Sequence, residues 1–137
     1  MTVINWGQLF VLGFGDIDDQ HHRMIDLINE FDDAMRAGRN QDVLASIFHD
    51  LTHYTVHHFA FEEQLMDEYR IRSAPAHKAE HELLKANLAA FHTKIESGSA
   101  TGDAFMALLR AWLGDHTLST DQTLTRELLA VGAKSTH

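Results

Sequence analysis

The sequence predicts an all-α fold, an up-down-up-down antiparallel four-helix bundle with an N-terminal extended arm. Three observations carry this. The 137 residues include one Pro and 8 Gly, so forced breaks are few and long helices are favoured over short strands. Apolar residues recur at alternating three- and four-residue steps along four segments of similar length. The connections between those segments are short, which sets successive helices antiparallel. A chain of this length is expected to form one domain, 1–137, around one core.

Residues 1–15 carry Trp6, Phe10 and Phe14 without a helical period, and read as the extended arm. A first helix is expected at about 18–37, on the stripe Ile17, His21, Met24, Ile28, Phe31 and Met35. Asp16, Asp18 and Asp19 suit its positive end, and Gly38 can terminate it. A second is expected at about 41–69, with Leu44, Ile47, Leu51, Tyr54 or Thr55, His58, Glu62 and Leu65 as its stripe. Arg70 and Arg72 favour its C-terminal side. A third, about 74–96, tolerates Pro75 in its first turn and aligns His77, His81, Leu84, Leu88, Phe91 and Ile95. The segment Ser97–Gly102 is a loop. A fourth, about 103–130, presents a broad apolar face of Phe105, Leu108, Leu109, Trp112, Leu113, Leu124 and Leu128, and the tail from Val131 onward is expected to fray.

Composition excludes several functions. A formal charge of −9 disfavours nucleic acid and anionic membrane as partners. The absence of Cys removes disulfides, thiolate zinc sites and thiol catalysis. No apolar run is long enough to span a bilayer, and residues 1–14 show no signal-peptide pattern, so a cytoplasmic protein is expected. No second apolar stripe asks for association, so a monomer is expected.

The 11 His are the compositional oddity. Residues four apart on a helix share a face, so His77 with His81, and His58 with Glu62, can each hold one ion. Imidazole with carboxylate and without thiolate suits iron, zinc, manganese or copper. A buried Glu62 costs several kcal/mol unless paired. Helix phase separates these residues from decoys. His49, His53 and His57 also repeat every four residues, and His49–His53 (HDLTH) resembles a zinc-protease motif. Yet His57 points about 100° from His58 and His53 about 140° from it, which makes that ladder a solvated face. His22 is likewise off the stripe that holds His21. His116 and Asp121 stand five apart, about 140° around an α-helix, and so do not share a face by spacing alone.

Ile17–His21 (IDDQH), His58–Met66 (HFAFEEQLM), His77–His81 (HKAEH) and Trp112–Asp121 (WLGDHTLSTD), in this order and at these intervals, resemble the hemerythrin family over nearly the whole chain. Myohemerythrin, of that family, is a standard four-helix bundle, so the resemblance implies the same architecture as the periodicity. It implies a non-haem centre of two iron ions, Fe2+ or Fe3+, with an oxo or hydroxo bridge, that binds O2 reversibly and is not an enzyme. His77, His81 and His116 would hold one iron, His21 and His58 the other, and Glu62 and Asp121 would bridge them. O2 would take the open position on the two-histidine iron, with Phe59, Trp112, Leu113 and Thr117 at pocket positions. A protein acceptor of O2 is not identifiable from sequence. The alternatives are a di-iron oxidase or a peroxide- or NO-handling enzyme, and an O2 or redox sensor acting through a partner. Ferritin-like oxidases favour Glu-rich sites with Glu-x-x-His motifs, which this His-rich set lacks.

Thr117 departs from the family, which usually places an apolar residue there. A hydroxyl at that position admits water or hydrogen-bonds a ligand. The iron-loaded protein is therefore expected to autoxidise faster than its Thr117→Ile variant, measured as decay of the O2-bound visible spectrum. Equal or slower decay in the native protein refutes this.

Overall fold

The computed structural model describes residues 12–97 and 102–134, without the side chains of 102–105, 113–114 and 117–118. The elements are α1 (Gly15–Arg36), α2 (Gln41–Glu68), α3 (Ala74–Glu96), α4 (Gly102–Asp115), a π-helical segment (His116–Asp121) and α5 (Gln122–Ala130). No strand occurs among the described residues. α4, the π segment and α5 run on as one rod, so the architecture is a four-helix bundle.

Local chemistry sets the ends. α1 begins earlier than its acidic residues suggest, because Asp18 does not cap the helix in the ordinary way. Its carboxylate reaches back to accept from the backbone N–H of Leu12 at 2.7 Å and of Gly13 at 3.1 Å, fixing the approach of the chain. At the other end Gly38 (φ 69°) takes the left-handed conformation that other residues resist. Gly38 N–H then bonds Met35 O and Arg39 N–H bonds Ala34 O, the paired closure of a Schellman turn. Asn40 caps α2, its side chain accepting from Val43 N–H at 3.0 Å. Arg70 (φ 51°) ends α2 in the same left-handed conformation without being glycine. Pro75 lies in the first turn of α3, as expected from sequence.

Two apolar clusters form the core. One gathers Ile25, Ile28, Phe31, Phe48, Leu51, Leu88, Phe91 and Leu109, among others. Within it Phe31, Phe48 and Phe91, from three helices, meet at ring-centroid distances of 5.4, 6.3 and 5.4 Å, tilted or edge-on as aromatic quadrupoles prefer. The second cluster is Phe14, Ile17, Met66, Ile71, Leu124, Leu128 and Ala133. Each helix crosses both layers. α1 runs from Ile17 in the second to Ile25 in the first, α2 from Leu51 in the first back to Met66 in the second. α3 returns from Ala74, packed on the second, to Leu88, and the final rod goes from Leu109 to Leu124. That alternation is the up-down-up-down order.

Several stripe positions differ from the sequence reading. Phe48 and Met66 are buried on α2 where Ile47 and Leu65 were expected to lead. Leu108 is 40% exposed, and Met106, outside the expected face, is buried alongside the expected Leu109. The stretch after α5 is anchored through Ala133, which is buried and whose N–H bonds Leu128 O at 3.0 Å. The expected fraying thus fails there, because Gly132 (φ 80°) turns the chain back onto the second cluster. Most of the arm (1–11), the loop at 98–101 and the side chain of Phe105 lie outside the described residues.

Candidate metal centre

The seven side chains singled out by sequence converge between the two apolar layers, all buried. α1 supplies His21, α2 supplies His58 and Glu62 one turn apart, and α3 supplies His77 and His81 one turn apart. His116 and Asp121 open and close the π segment.

That segment corrects the α-helical phase argument, under which His116 and Asp121 diverge. Hydrogen bonding from i to i+5 widens the turn, so residues five apart come much closer to one face than in an α-helix. His116 Nε2 lies 2.9 Å from Asp121 Oδ1. A π-bulge inside an α-helix is rare, and such bulges are frequent at functional sites.

The carboxylate oxygens divide the imidazoles into two groups. His77 Nε2 is 2.9 Å from Asp121 Oδ1 and 3.5 Å from Glu62 Oε1, and His81 Nε2 is 3.1 Å from Glu62 Oε1. With His116 these form a three-histidine group facing Oε1 and Oδ1. On the other side His21 Nε2 is 2.9 Å from Asp121 Oδ2, and His58 Nε2 is 3.3 Å from Glu62 Oε2. Donor atoms of Glu62, His77, His81, His116 and Asp121 lie within 4.8 Å of one another, as do those of His21, His58, Glu62 and Asp121. Glu62 and Asp121 belong to both sets.

The donors fit a metal better than they fit each other. His21 Nε2, His81 Nε2 and all four carboxylate oxygens are buried, yet none has a partner in hydrogen-bond alignment despite the short distances. Atoms that approach without pointing at one another are converging on a point between them. Two donors at right angles, each about 2.1 Å from one ion, lie about 3.0 Å apart, close to the shorter spacings here.

Three imidazoles are oriented from behind, with Nε2 left facing the centre. His58 Nδ1–H donates to Gln20 Oε1 at 2.7 Å, His81 Nδ1–H to Glu63 Oε2 at 2.9 Å, and His116 Nδ1–H to Glu80 Oε1 at 2.9 Å. Such bonds fix the tautomer and ring plane of a ligating histidine. Sequence reasoning missed Gln20, Glu63 and Glu80. They lie off the apolar stripes, and helix period carries no signal for a contact made to a neighbouring helix.

Two apolar rings wall the site. Phe59 stacks on His81 (3.8 Å, 9° between planes) and Trp112 on His116 (4.1 Å, 14°). Their closest ring contacts within the site are thus with the three-histidine group. The side chains of Leu113 and Thr117 lie outside the described residues.

Charges follow from this packing. Burial pushes the Glu62 carboxyl up, but His58, His77 and His81 outweigh it and hold Glu62 well below the usual carboxylate range. For Asp121, burial and Glu62 push up, and His21 and His116 outweigh them, again leaving the group strongly acidic. Burial pushes His77 down, but its contacts with Asp121 and Glu62 win and raise it to about 9. His21 is also raised, its burial offset chiefly by Asp121, whereas burial dominates at His58 and lowers it.

The decoys are elsewhere. His22, His49, His53 and His57 are exposed, and the His49 and His53 rings stack on the outer face of α2 at 6.2 Å. His53→Ala is therefore expected to leave metal content unchanged and stability within about 0.5 kcal/mol, checked by metal analysis and thermal unfolding. Loss of metal refutes the assignment of faces.

This fold and this buried His, Glu and Asp set define a metal-binding helical bundle of the hemerythrin type. The family described as the hemerythrin HHE cation binding domain matches residues 12–128, and the chain belongs to the hemerythrin family. A bacteriohemerythrin of Pseudomonas aeruginosa is 33% identical over 121 residues, covering 88% of this chain and 78% of that protein. One from Stenotrophomonas maltophilia is 28% identical over 130 residues, covering 95% and 84%. A crystal structure of wild-type hemerythrin matches with a TM-score of 0.86 at 29% identity, covering 93% of this chain and 98% of that one. No helix among the described residues is long and apolar enough to cross a membrane.

Proposed function

We propose that the chain binds O2 reversibly at a di-iron centre, as a carrier or store and not as an enzyme. In this reading His77, His81 and His116 would hold one iron, His21 and His58 the other, and Glu62 and Asp121 would serve both. The carrying observation is the division of the carboxylate oxygens: Oε1 and Oδ1 face the three-histidine group, Oε2 and Oδ2 the two-histidine group. A structural zinc site needs four donors around one ion, not two sets that share both carboxylates.

A pair of irons held there would supply the two electrons that reversible O2 binding needs. The chain's own residues supply the rest. Glu62 and Asp121 partly neutralise the ions in a low-dielectric interior. The set containing His21 and His58 has four residues against five in the other, so an ion there would have one protein donor fewer and could take O2 as a further ligand. Phe59 and Trp112 cover part of the site, and a small cavity of about 10 Å³ lined by Met24, Ile28, Leu51, Thr55, Leu84, Leu88, Leu109 and Trp112 offers water an almost wholly apolar wall. Met24, Thr55, Leu84 and Trp112 each lie about one turn from a ligand on the same helix or rod, so the cavity adjoins the site. The Thr55 hydroxyl already donates to Leu51 O at 2.8 Å, so it offers an entering water little. Such dryness limits proton access, which would otherwise strand the irons oxidised. Leu113 and Thr117 are assigned to the same wall by the sequence resemblance alone. A monomer acting in the cytoplasm completes the reading.

The test is to load the protein with Fe2+ anaerobically, admit O2, remove it and follow the visible spectrum. A charge-transfer band that appears and then disappears supports carriage. Irreversible conversion with product turnover assigns an oxidase instead. A colourless protein carrying zinc overturns the reading.

A further inference from the structure

Glu80 reaches the centre only through another side chain, and it makes two attachments. It lies on α3 immediately before His81, off the apolar stripe of that helix. Its Oε1 accepts from His116 Nδ1–H at 2.9 Å. Both of its oxygens also lie 2.9 Å from the Thr120 hydroxyl, which donates to the carboxylate. His116 opens the π segment and Thr120 stands next to its last residue, Asp121. One carboxylate on a neighbouring helix therefore grips the segment at both ends.

That grip has something to resist. π-helical geometry is uncommon, and the same residues could close the shorter α-helical bonds that continue α4. Relaxation to α would turn Asp121 about 140° away from His116 and withdraw it from both groups of histidines. We propose that Glu80 is a positioning residue that holds His116–Asp121 in the π register, and so keeps Asp121 between the two metal positions. The inference rests on the metal-centre reading above. It is separable from ordinary packing because the Glu80 side chain is 42% exposed, so its removal opens no core cavity.

Glu63 supplies the control. It accepts from His81 Nδ1–H at 2.9 Å, and His81 lies on the regular helix α3, so its loss disturbs one imidazole and no register. Cobalt(II) titration of the metal-free protein against a competing chelator reads both positions. The wild type is expected to bind two ions. Glu80→Ala weakens both by about 10–100-fold, because Asp121 serves both, and Glu80→Gln recovers part of that loss. Glu63→Ala weakens one position. Thr120→Ala, which leaves the Glu80–His116 bond in place, again weakens both. In the metal-free protein, backbone amide exchange at 117–121 speeds up in Glu80→Ala while the rest of the bundle is unchanged.

Two ions bound by Glu80→Ala with wild-type affinity, or a loss no larger than that of Glu63→Ala, overturns the inference alone. Unchanged exchange at 117–121 does the same. If Glu80→Ala does not fold, Thr120→Ala and Glu80→Gln decide: wild-type binding of both ions by the pair overturns it. A wild type that takes up fewer than two ions overturns the metal reading itself, and this inference with it.

Discussion

Glu62→Ala is expected to reduce metal content from two ions per chain to less than one and to abolish the visible spectrum of the iron-loaded protein. Glu62 belongs to both donor sets, so one substitution removes a ligand from each position. Its two oxygens face opposite groups, Oε1 toward His81 at 3.1 Å and Oε2 toward His58 at 3.3 Å. A single imidazole removed from either group spares the other ion in part; this carboxylate spares neither. The metal-free variant should still fold, because the remaining imidazoles can shed protons where Glu62 no longer balances them. A destabilisation of about 1–3 kcal/mol is expected there. Elemental analysis after loading, with thermal unfolding of the metal-free forms as control, decides the matter. Retention of two ions by Glu62→Ala removes the bridge from the proposal.

Metal affinity is expected to rise steeply with pH, and metal-free stability to fall over the same range. Ligating imidazole must be unprotonated, and His77 holds its proton up to about 9 in the metal-free protein. At neutral pH the displaced proton therefore costs roughly 100-fold in apparent affinity, about two decades at one decade per pH unit. His21, raised in the same direction, adds to the slope. The stability signs follow from linkage. His77, raised from 6.5, contributes stability that is fully present below 6.5 and lost as pH climbs through about 9. Glu62 and Asp121, depressed from 4.5 and 3.8, contribute stability that is present above those values and lost in acid. These three groups favour mildly acidic solution, between roughly 4.5 and 6.5, while His58, lowered by burial, costs stability as pH falls below 6.5, so the metal-free optimum lies toward the upper end of that window. The loaded protein departs from that curve increasingly as pH rises. One ion at a thousandfold excess over its dissociation constant adds about 4 kcal/mol, or on the order of 15 °C for a chain of this size. Unfolding midpoints with and without metal at pH 6, 7, 8 and 9 test this. A gap that stays constant refutes it.

Some of this was legible in the sequence. α3 needed nothing else: His77, His81, Leu84, Leu88, Phe91 and Ile95 stand on one face by arithmetic, and all six are buried. Phase alone also chose His21 over His22 and His58 over His57, because one residue of rotation moves a side chain from core to solvent. The arithmetic failed at Asp121, where the helix is not an α-helix. The only local warning was a pair of ligand-type residues five apart. Glu80, Glu63 and Gln20 stayed hidden for another reason. Their roles depend on the separation of adjacent helices, which a single-helix period does not encode. Leu108 shows the opposite error, an apolar residue on a face too broad for all of it to be covered.

The sandwich of a polar layer between two apolar ones also governs how the chain finds its fold. Four amphipathic helices of similar length could slide past one another by a turn, about 5.4 Å, and still bury much of their apolar surface. Here such a slip would press Glu62 or Asp121 against Leu and Phe, with several kcal/mol lost for each carboxylate left without a partner. A buried Asn does the same for the register of a coiled coil. The ligand layer is therefore an alignment mark for assembly as well as a place for metal, and it serves that purpose before any ion arrives.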